Sequence, residues 1–303
     1  VPEESEAEVE SWLSKQGSYY EIRKPNKDDV VPVLFRNNAF TKMYEVLTKM
    51  YGMPNFTDFD PTPIVAPFFS LFFAFCMGDA GYGLVLILLG FLLKKKLDKS
   101  MAGMMNLVIT LGIFTTIIGA LLGTFFGISL IQSDLPQNLK NFIIAGNVEL
   151  FGSTYDKQMI LALGIGVVHI SIAMTVKAIN STVFNGFKES LSAWGWWLVV
   201  VGGAIIGTLT FLSVIPSEIS TWAFIIVGGL GAIGIYLLNN LRRNVFMNIG
   251  AGLWDTYNMA SGLMGDILSY IRLFALCLAG GMLGQTFNNL AYMVVAGQTG
   301  IGA

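Results

Sequence analysis

Six stretches of this chain, at about 64–93, 101–131, 159–178, 194–215, 221–239 and 250–296, are apolar over lengths close to or above the roughly 20 residues a helix needs to cross a hydrocarbon layer. Within lipid every backbone N–H and C=O must find a partner inside the protein, so runs of this kind fold as helices. The expected fold class is all-α: a polytopic transmembrane helical bundle. Composition agrees, with 54% hydrophobic residues, 13% charged residues and 34 glycines among 303 residues. A water-soluble globular domain is excluded.

One polar region precedes the apolar ones. Residues 1–60 carry 7 of the 18 Lys and Arg and 11 of the 20 Asp and Glu, and five of their first ten residues are glutamate. The region begins at Val1 with neither an initiator Met nor a signal peptide. It reads as the remnant of a larger soluble domain with its connector, followed by a transmembrane domain over 61–303. The spacing of Val9, Trp12 and Leu13, and of Phe40, Met43, Leu47 and Met50, predicts two short amphipathic helices with packing stripes, joined by the turn-rich segment 24–29. Cys76 and Cys277 lie in separate apolar segments, which argues against a disulfide framework or a metal site.

Short loops rich in Lys and Arg face the cytoplasm. Loops 94–100, 177–193 and 240–249 carry eight such residues, whereas 132–158 and 213–221 carry only Lys140 and Lys157. The first set is therefore expected to be cytoplasmic and the loop at 147–152 external. Asn180-Ser181-Thr182 resembles a glycosylation acceptor on the wrong side for that use. The cluster Trp194, Trp196 and Trp197 reads as interfacial anchoring and packing.

The stretch 64–93 is too long for one perpendicular span, since thirty helical residues measure about 45 Å against about 30 Å of hydrocarbon. Its centre, Gly78-Asp79-Ala80-Gly81-Tyr82-Gly83, offers a break and hence a hairpin of two arms. One long tilted helix with a glycine-rich packing face is the alternative. Asp79 either caps an arm or lines an aqueous pocket.

Arg272 is the only basic residue in the last 60 and stands inside the longest apolar stretch. A charge there costs a few kcal/mol or more and marks a functional site. At 100° per residue Gly265, Leu268, Ser269, Ala275, Leu276, Ala279, Gly280 and Leu283 fall on or beside its face, and these include several small residues that let another helix approach. Asp255, Asn258, Gly262, Asp266 and Ser269 form a polar flank to one side, a candidate wall for a cytoplasmic aqueous half-channel. For Asp255 alone, a helix end in water, capping or solvated at the interface, is the preferred reading. At the other end Gln285, Asn288 and Asn289 are either interfacial or part of an exit path. His169, the sole histidine, lies in an apolar helix, where a hydrogen bond to a neighbouring helix is the commoner role and a proton path the rarer one.

Two blocks carry a resemblance. Phe68-Phe69-Ser70-Leu71-Phe72-Phe73-Ala74-Phe75-Cys76-Met77-Gly78-Asp79-Ala80-Gly81-Tyr82-Gly83, and later Asp266-Ile267-Leu268-Ser269-Tyr270-Ile271-Arg272-Leu273-Phe274-Ala275-Leu276, resemble the membrane half of the stator subunit, called a or I, of V-type and archaeal-type rotary ATPases. The resemblance covers about 40–295. It implies a cytoplasmic N-terminal domain, eight membrane segments, a rotating ring of proteolipid subunits as neighbour, and peripheral-stalk and central-stalk subunits as further partners. It implies an ion-translocating role for Arg272, and the short loops point to a prokaryotic plasma membrane as the location. Counting crossings then favours the hairpin at 64–93, because both ends of the family's membrane domain are cytoplasmic. The family's last segment, with a second arginine, is expected to be absent here. No phosphate loop, zinc motif or nucleophile constellation is present, so neither catalytic chemistry nor a cofactor is expected of this chain, and nucleic acid is not an expected partner. A self-contained secondary transporter or channel is the alternative function; the duplicated broken segments that such proteins commonly show are missing.

Overall fold

In the computed structural model the described residues are 5–17, 19–23, 33–54, 59–96, 101–131, 136–144, 146–150, 153–212, 214–238 and 245–299. The segment 24–29, Lys99, Phe151, Gly152, Arg242 and Arg243, all used above, lie outside them. The chain divides into two compact units, Val1–Ile64 and Val65–Ala303.

The first unit contains α1 (Glu6–Lys15), α2 (Ala39–Lys42) and α3 (Glu45–Tyr51). Asp60 closes it locally by accepting from the backbone and hydroxyl of Thr62 and from Asn37, while Thr48 and Thr62 share a buried hydroxyl contact of 2.9 Å. Of the expected packing stripes, Val9, Leu13, Met43 and Leu47 are half-buried, whereas Trp12, Phe40 and Met50 are exposed. Among the described residues of this unit Tyr44 is the buried aromatic side chain, with the Phe40 ring against it at a centroid distance of 5.2 Å.

The second unit is a helical bundle. It begins in α4 (Thr62–Met77), whose first residues belong to the preceding unit, and continues with α5 (Ala80–Lys96) and α6 (Ala102–Leu122). The break expected at Gly78-Asp79 is present: Gly78 has φ +57°, a left-handed conformation that glycine adopts without a Cβ penalty. Direction follows from three close approaches between α5 and α6. Ala80 lies against Gly119, Gly83 against Thr116 and Gly90 against Ile109, so the two helices are antiparallel.

After α6 the chain forms a small hairpin of β1 (Thr124–Phe125) and β2 (Ile128–Ser129), a short α7 (Gln137–Lys140), and a second hairpin of β3 (Asn147–Leu150) and β4 (Ser153–Asp156). The expected span 101–131 is thus shorter: Gly123 (φ +78°) caps the helix, and the apolar residues beyond it belong to a turn and a hairpin. Among the described residues two two-stranded sheets therefore sit in a mostly helical fold.

α8 (Lys157–Asn185) is capped by Asp156, whose carboxylate accepts from the Gln158 backbone at 2.8 Å. Gln158 in turn donates to Leu122 and Ile144 carbonyls, which brings the start of α8 to the end of α6. α8 runs past the expected end at 178. Lys177 and Asn180-Ser181-Thr182 are consequently helical rather than part of a loop. An apolar cluster of Phe75, Leu122, Ala162 and Cys277 joins α4, α6 and α8 to the last helix. Since Phe75 meets Ala162 while Phe68 meets His169 further along α8, α4 is antiparallel to α8. α4 therefore runs with α6 and α5 against it, and the chain reverses at Gly78-Asp79 as a hairpin.

α9 (Leu191–Trp197) and α10 (Gly203–Phe211) form one helical run through a π turn at Leu198–Gly202, and α11 (Ser217–Ala232) ends in another at Ile233–Leu237. Trp194 and Trp197 do more than anchor: their indole N–H groups donate to Thr182 and Thr175 of α8 at 2.9 and 2.8 Å. The final helix, α12 (Val245–Thr299), has 55 residues, about 82 Å at 1.5 Å per residue. Among the described residues five helical runs are long and apolar enough to cross a membrane: Gly103–Leu122, Lys157–Phe184, Leu191–Phe211, Glu218–Leu237 and Phe246–Val295.

Cysteines placed at Lys95 and Glu149, at opposite ends of the α5, α6 and α8 group, are expected to react with an impermeant maleimide from opposite membrane faces. Labelling of both from one face would overturn this arrangement.

Candidate functional site

The long apolar sequence of α12 gives a continuous helix, and contact with the rest of the bundle divides it into two faces. Asn248, Gly252, Met259, Tyr270, Cys277 and Gly284 form a buried or half-buried stripe. Arg272 points about 140° from the centre of that stripe. It is exposed and, among the described residues, has neither a hydrogen bond nor an ion pair. Gly265, Leu268, Ala275, Leu276 and Ala279 share its exposed face, with half-buried Gly280 at the edge. The glycines divide in the same way. Added Cβ atoms at Gly262, Gly265 and Gly280 would meet nothing within 4 Å, whereas at Gly284 one would stand 2.9 Å from the Gly127 Cα and at Gly252 one would stand 2.7 Å from the Tyr236 ring.

The polar flank separates into parts. Asp255 and Asn258 line a cavity of about 440 Å³, together with Lys177 and Ser181 of α8, Glu189, and Ser192 and Trp196 of α9. Lys177, Glu189 and the two serines were not legible as site residues, because they converge only through the packing of α8 and α9. Asp266 is exposed outside this cavity, one turn from Tyr270 on the same helix. The Ser269 hydroxyl donates to the Gly265 carbonyl of its own helix at 2.9 Å and keeps its acceptor lone pairs free.

At the other end of α12, Asn288 donates to the Phe126 carbonyl at 2.6 Å and so has a structural contact, whereas Gln285 is exposed. His169 does not stand alone. Its Nδ1 lies 3.0 Å from the Tyr270 hydroxyl, and its ring packs against Phe68 and Phe72 of α4.

Asp79 occupies the hairpin between α4 and α5 and is 2% exposed. Its Oδ1 accepts from the Gly81 and Tyr82 backbone at 2.7 and 3.3 Å, capping α5, and from Phe126 at 2.8 Å, while Oδ2 accepts from Gly127 at 2.7 Å. Of the two roles open to Asp79, these four donors support the cap. The Thr124 hydroxyl adds a bond to the Gly78 carbonyl. Asp79 is thus built into the turn beside α12, remote in role from the Asp255 cavity. Among the described residues no group of three or more His, Cys, Asp or Glu could hold a metal ion.

Residues 1–135 match the model of the V-type ATPase 116kDa subunit family. The chain is 29% identical over 275 residues to an A-type ATP synthase subunit I of Methanothermobacter thermautotrophicus, covering 89% of this chain and 37% of that protein. To the Pyrococcus horikoshii A-type ATP synthase subunit I it is 29% identical over 308 residues, covering 97% and 43%. To the Borreliella burgdorferi V-type ATP synthase subunit I it is 25% identical over 303 residues, covering 96% and 48%. The chain therefore spans less than half the length of these relatives.

Replacing Asp79 with Asn leaves one acceptor oxygen where two carboxylate oxygens serve four donors. Asp79→Asn is expected to destabilise the protein by about 2–3 kcal/mol, the scale of a charge-assisted hydrogen bond. Thermal unfolding in detergent measures this, and an unchanged midpoint would remove Asp79 as the anchor of the turn.

Proposed function

From a chain that is a relative of subunit I of the A-type and V-type ATP synthases, we propose a membrane-embedded stator subunit that forms ion half-channels beside a ring of proteolipid rotor subunits. The observation that supports this reading is the division of α12 into a face packed within the chain and a face bearing Arg272 on which none of the described residues packs. Open glycines and alanines on that face suit the close approach of another helix.

The rotor helix brings a carboxylate past Arg272. A fixed guanidinium favours the ionised form of that carboxylate, and so the release of its proton or sodium ion. It also opposes direct passage of cations between the two sides. The cavity lined by Asp255 and Asn258 is the cytoplasmic vestibule of one half-channel, and Asp266 and Ser269 continue its polar flank toward the rotor. Gln285 belongs to the opposite path. Asp79 and His169 serve structure. ATP turnover occurs on other subunits of the complex, with peripheral-stalk and central-stalk subunits holding this chain in place, in a prokaryotic plasma membrane.

The test is ATP-driven ion uptake by vesicles carrying the full-length complex. Arg272→Gln is expected to assemble, because it removes an insertion cost and leaves the small-residue face intact, yet to lose coupled uptake. Arg272→Lys is expected to restore only part of it, since an ammonium lacks the broad delocalised charge of a guanidinium. Near-normal uptake with Arg272→Gln would refute the mechanism. In the same assay Asp266→Asn, and less so Asp255→Asn, should slow transfer without preventing assembly. Unchanged rates in both would take them out of the path.

A further inference from the structure

Tyr270 and Arg272 are two residues apart on α12 and therefore point in directions about 160° apart. Whatever holds Tyr270 also aims Arg272. Three observations describe what holds it. The Tyr270 ring lies directly over Gly166 of α8, where a Cβ would collide with the ring carbons. Its hydroxyl is 3.0 Å from His169 Nδ1, three residues along the same helix. Phe72 of α4 packs against the ring at a centroid distance of 5.4 Å, while Phe68 and Phe72 enclose the imidazole. The enclosure leaves His169 no onward polar partner among the described residues, so it suits a fixed contact better than a relay.

We propose that Gly166 and His169 form a seat for Tyr270 that fixes the rotational setting of α12 and thereby directs Arg272 onto the free face. Gly166, His169 and Tyr270 are positioning residues in this scheme, which rests on the stator reading above. The seat matters because α12 is held along one stripe only. A slot made by a missing side chain sets the depth of the ring, and a hydrogen bond at its tip sets the angle. Asp266 stands one turn before Tyr270 on α12.

The experiment uses the full-length complex in vesicles with Cys76→Ala and Cys277→Ala as background. Single cysteines at Leu276, on the exposed face, and at Leu273, half-buried against the bundle, report the setting of α12 through their maleimide reaction rates. Ions moved per ATP hydrolysed report its consequence. Tyr270→Phe keeps the ring and removes the hydroxyl. It is expected to shift the ratio of the two labelling rates by about fivefold, the equilibrium effect of one hydrogen bond, and to lower the ions moved per ATP. Gly166→Ala should change both readouts in the same direction, as should His169→Leu, whereas His169→Gln, which keeps a hydrogen-bonding group, should leave both closer to the parent values than His169→Leu does. Should Gly166→Ala fail to assemble, the near-isosteric Tyr270→Phe decides alone. Unchanged labelling and coupling in an assembled Tyr270→Phe complex would overturn the seat. Failure of the stator reading looks different: Arg272→Gln would then pump normally while Tyr270→Phe still altered the labelling ratio.

Discussion

The carboxylate of Asp79 is the interaction on which the end of this bundle at the reversal between α4 and α5 depends. A buried ionised group in apolar surroundings is costly unless hydrogen bonds replace its hydration. Here four backbone N–H groups, from segments more than forty residues apart, converge on two oxygens. The result joins the reversal between α4 and α5 to the small hairpin after α6. That hairpin then meets α12 through the backbone contact of Gly127 with Gly284 and through Asn288. One side chain thus connects three parts of the membrane unit, and each backbone donor it satisfies is one that lipid could not.

Small residues do two kinds of work on α12. Gly252 and Gly284 are filled by neighbours from the same chain, and replacing them would push helices apart. Gly262, Gly265 and Gly280 face open space, so nothing within the described structure accounts for their lack of a side chain. The same helix therefore carries glycines closed in by neighbouring elements and glycines that no described residue approaches.

Much of this was legible in the sequence. The glycine and aspartate cluster at Gly78–Gly83 offered a break because its signal is local, but one long tilted helix stood beside it until the crossing count implied by the resemblance favoured the hairpin. The face of Arg272 was legible because helical periodicity needs only residue numbers. The end of α6 at Leu122 was obscured by apolar residues that continue through a turn and into a strand. The cavity around Asp255 was half seen, since α12 supplied its own two residues, but Lys177 and Glu189 arrive from α8 and its following turn by packing alone. The indole bonds of Trp194 and Trp197 and the pairing of His169 with Tyr270 depend likewise on register between distant helices. Hydropathy carries no information about such register.

The π turns in the α9–α10 run and at the end of α11 sit where these helices approach most closely, around Gly195, Gly231 and Gly234. A π turn accommodates one extra residue within an unbroken helix. The residues after it keep the faces they would have had in a shorter chain, and the helix ends keep their depth. A single inserted or deleted residue at these positions is therefore absorbed without a loop. When such a chain is aligned with its relatives, a one-residue gap inside an apolar span marks a change of helical winding, and the boundaries of the span stay where they were.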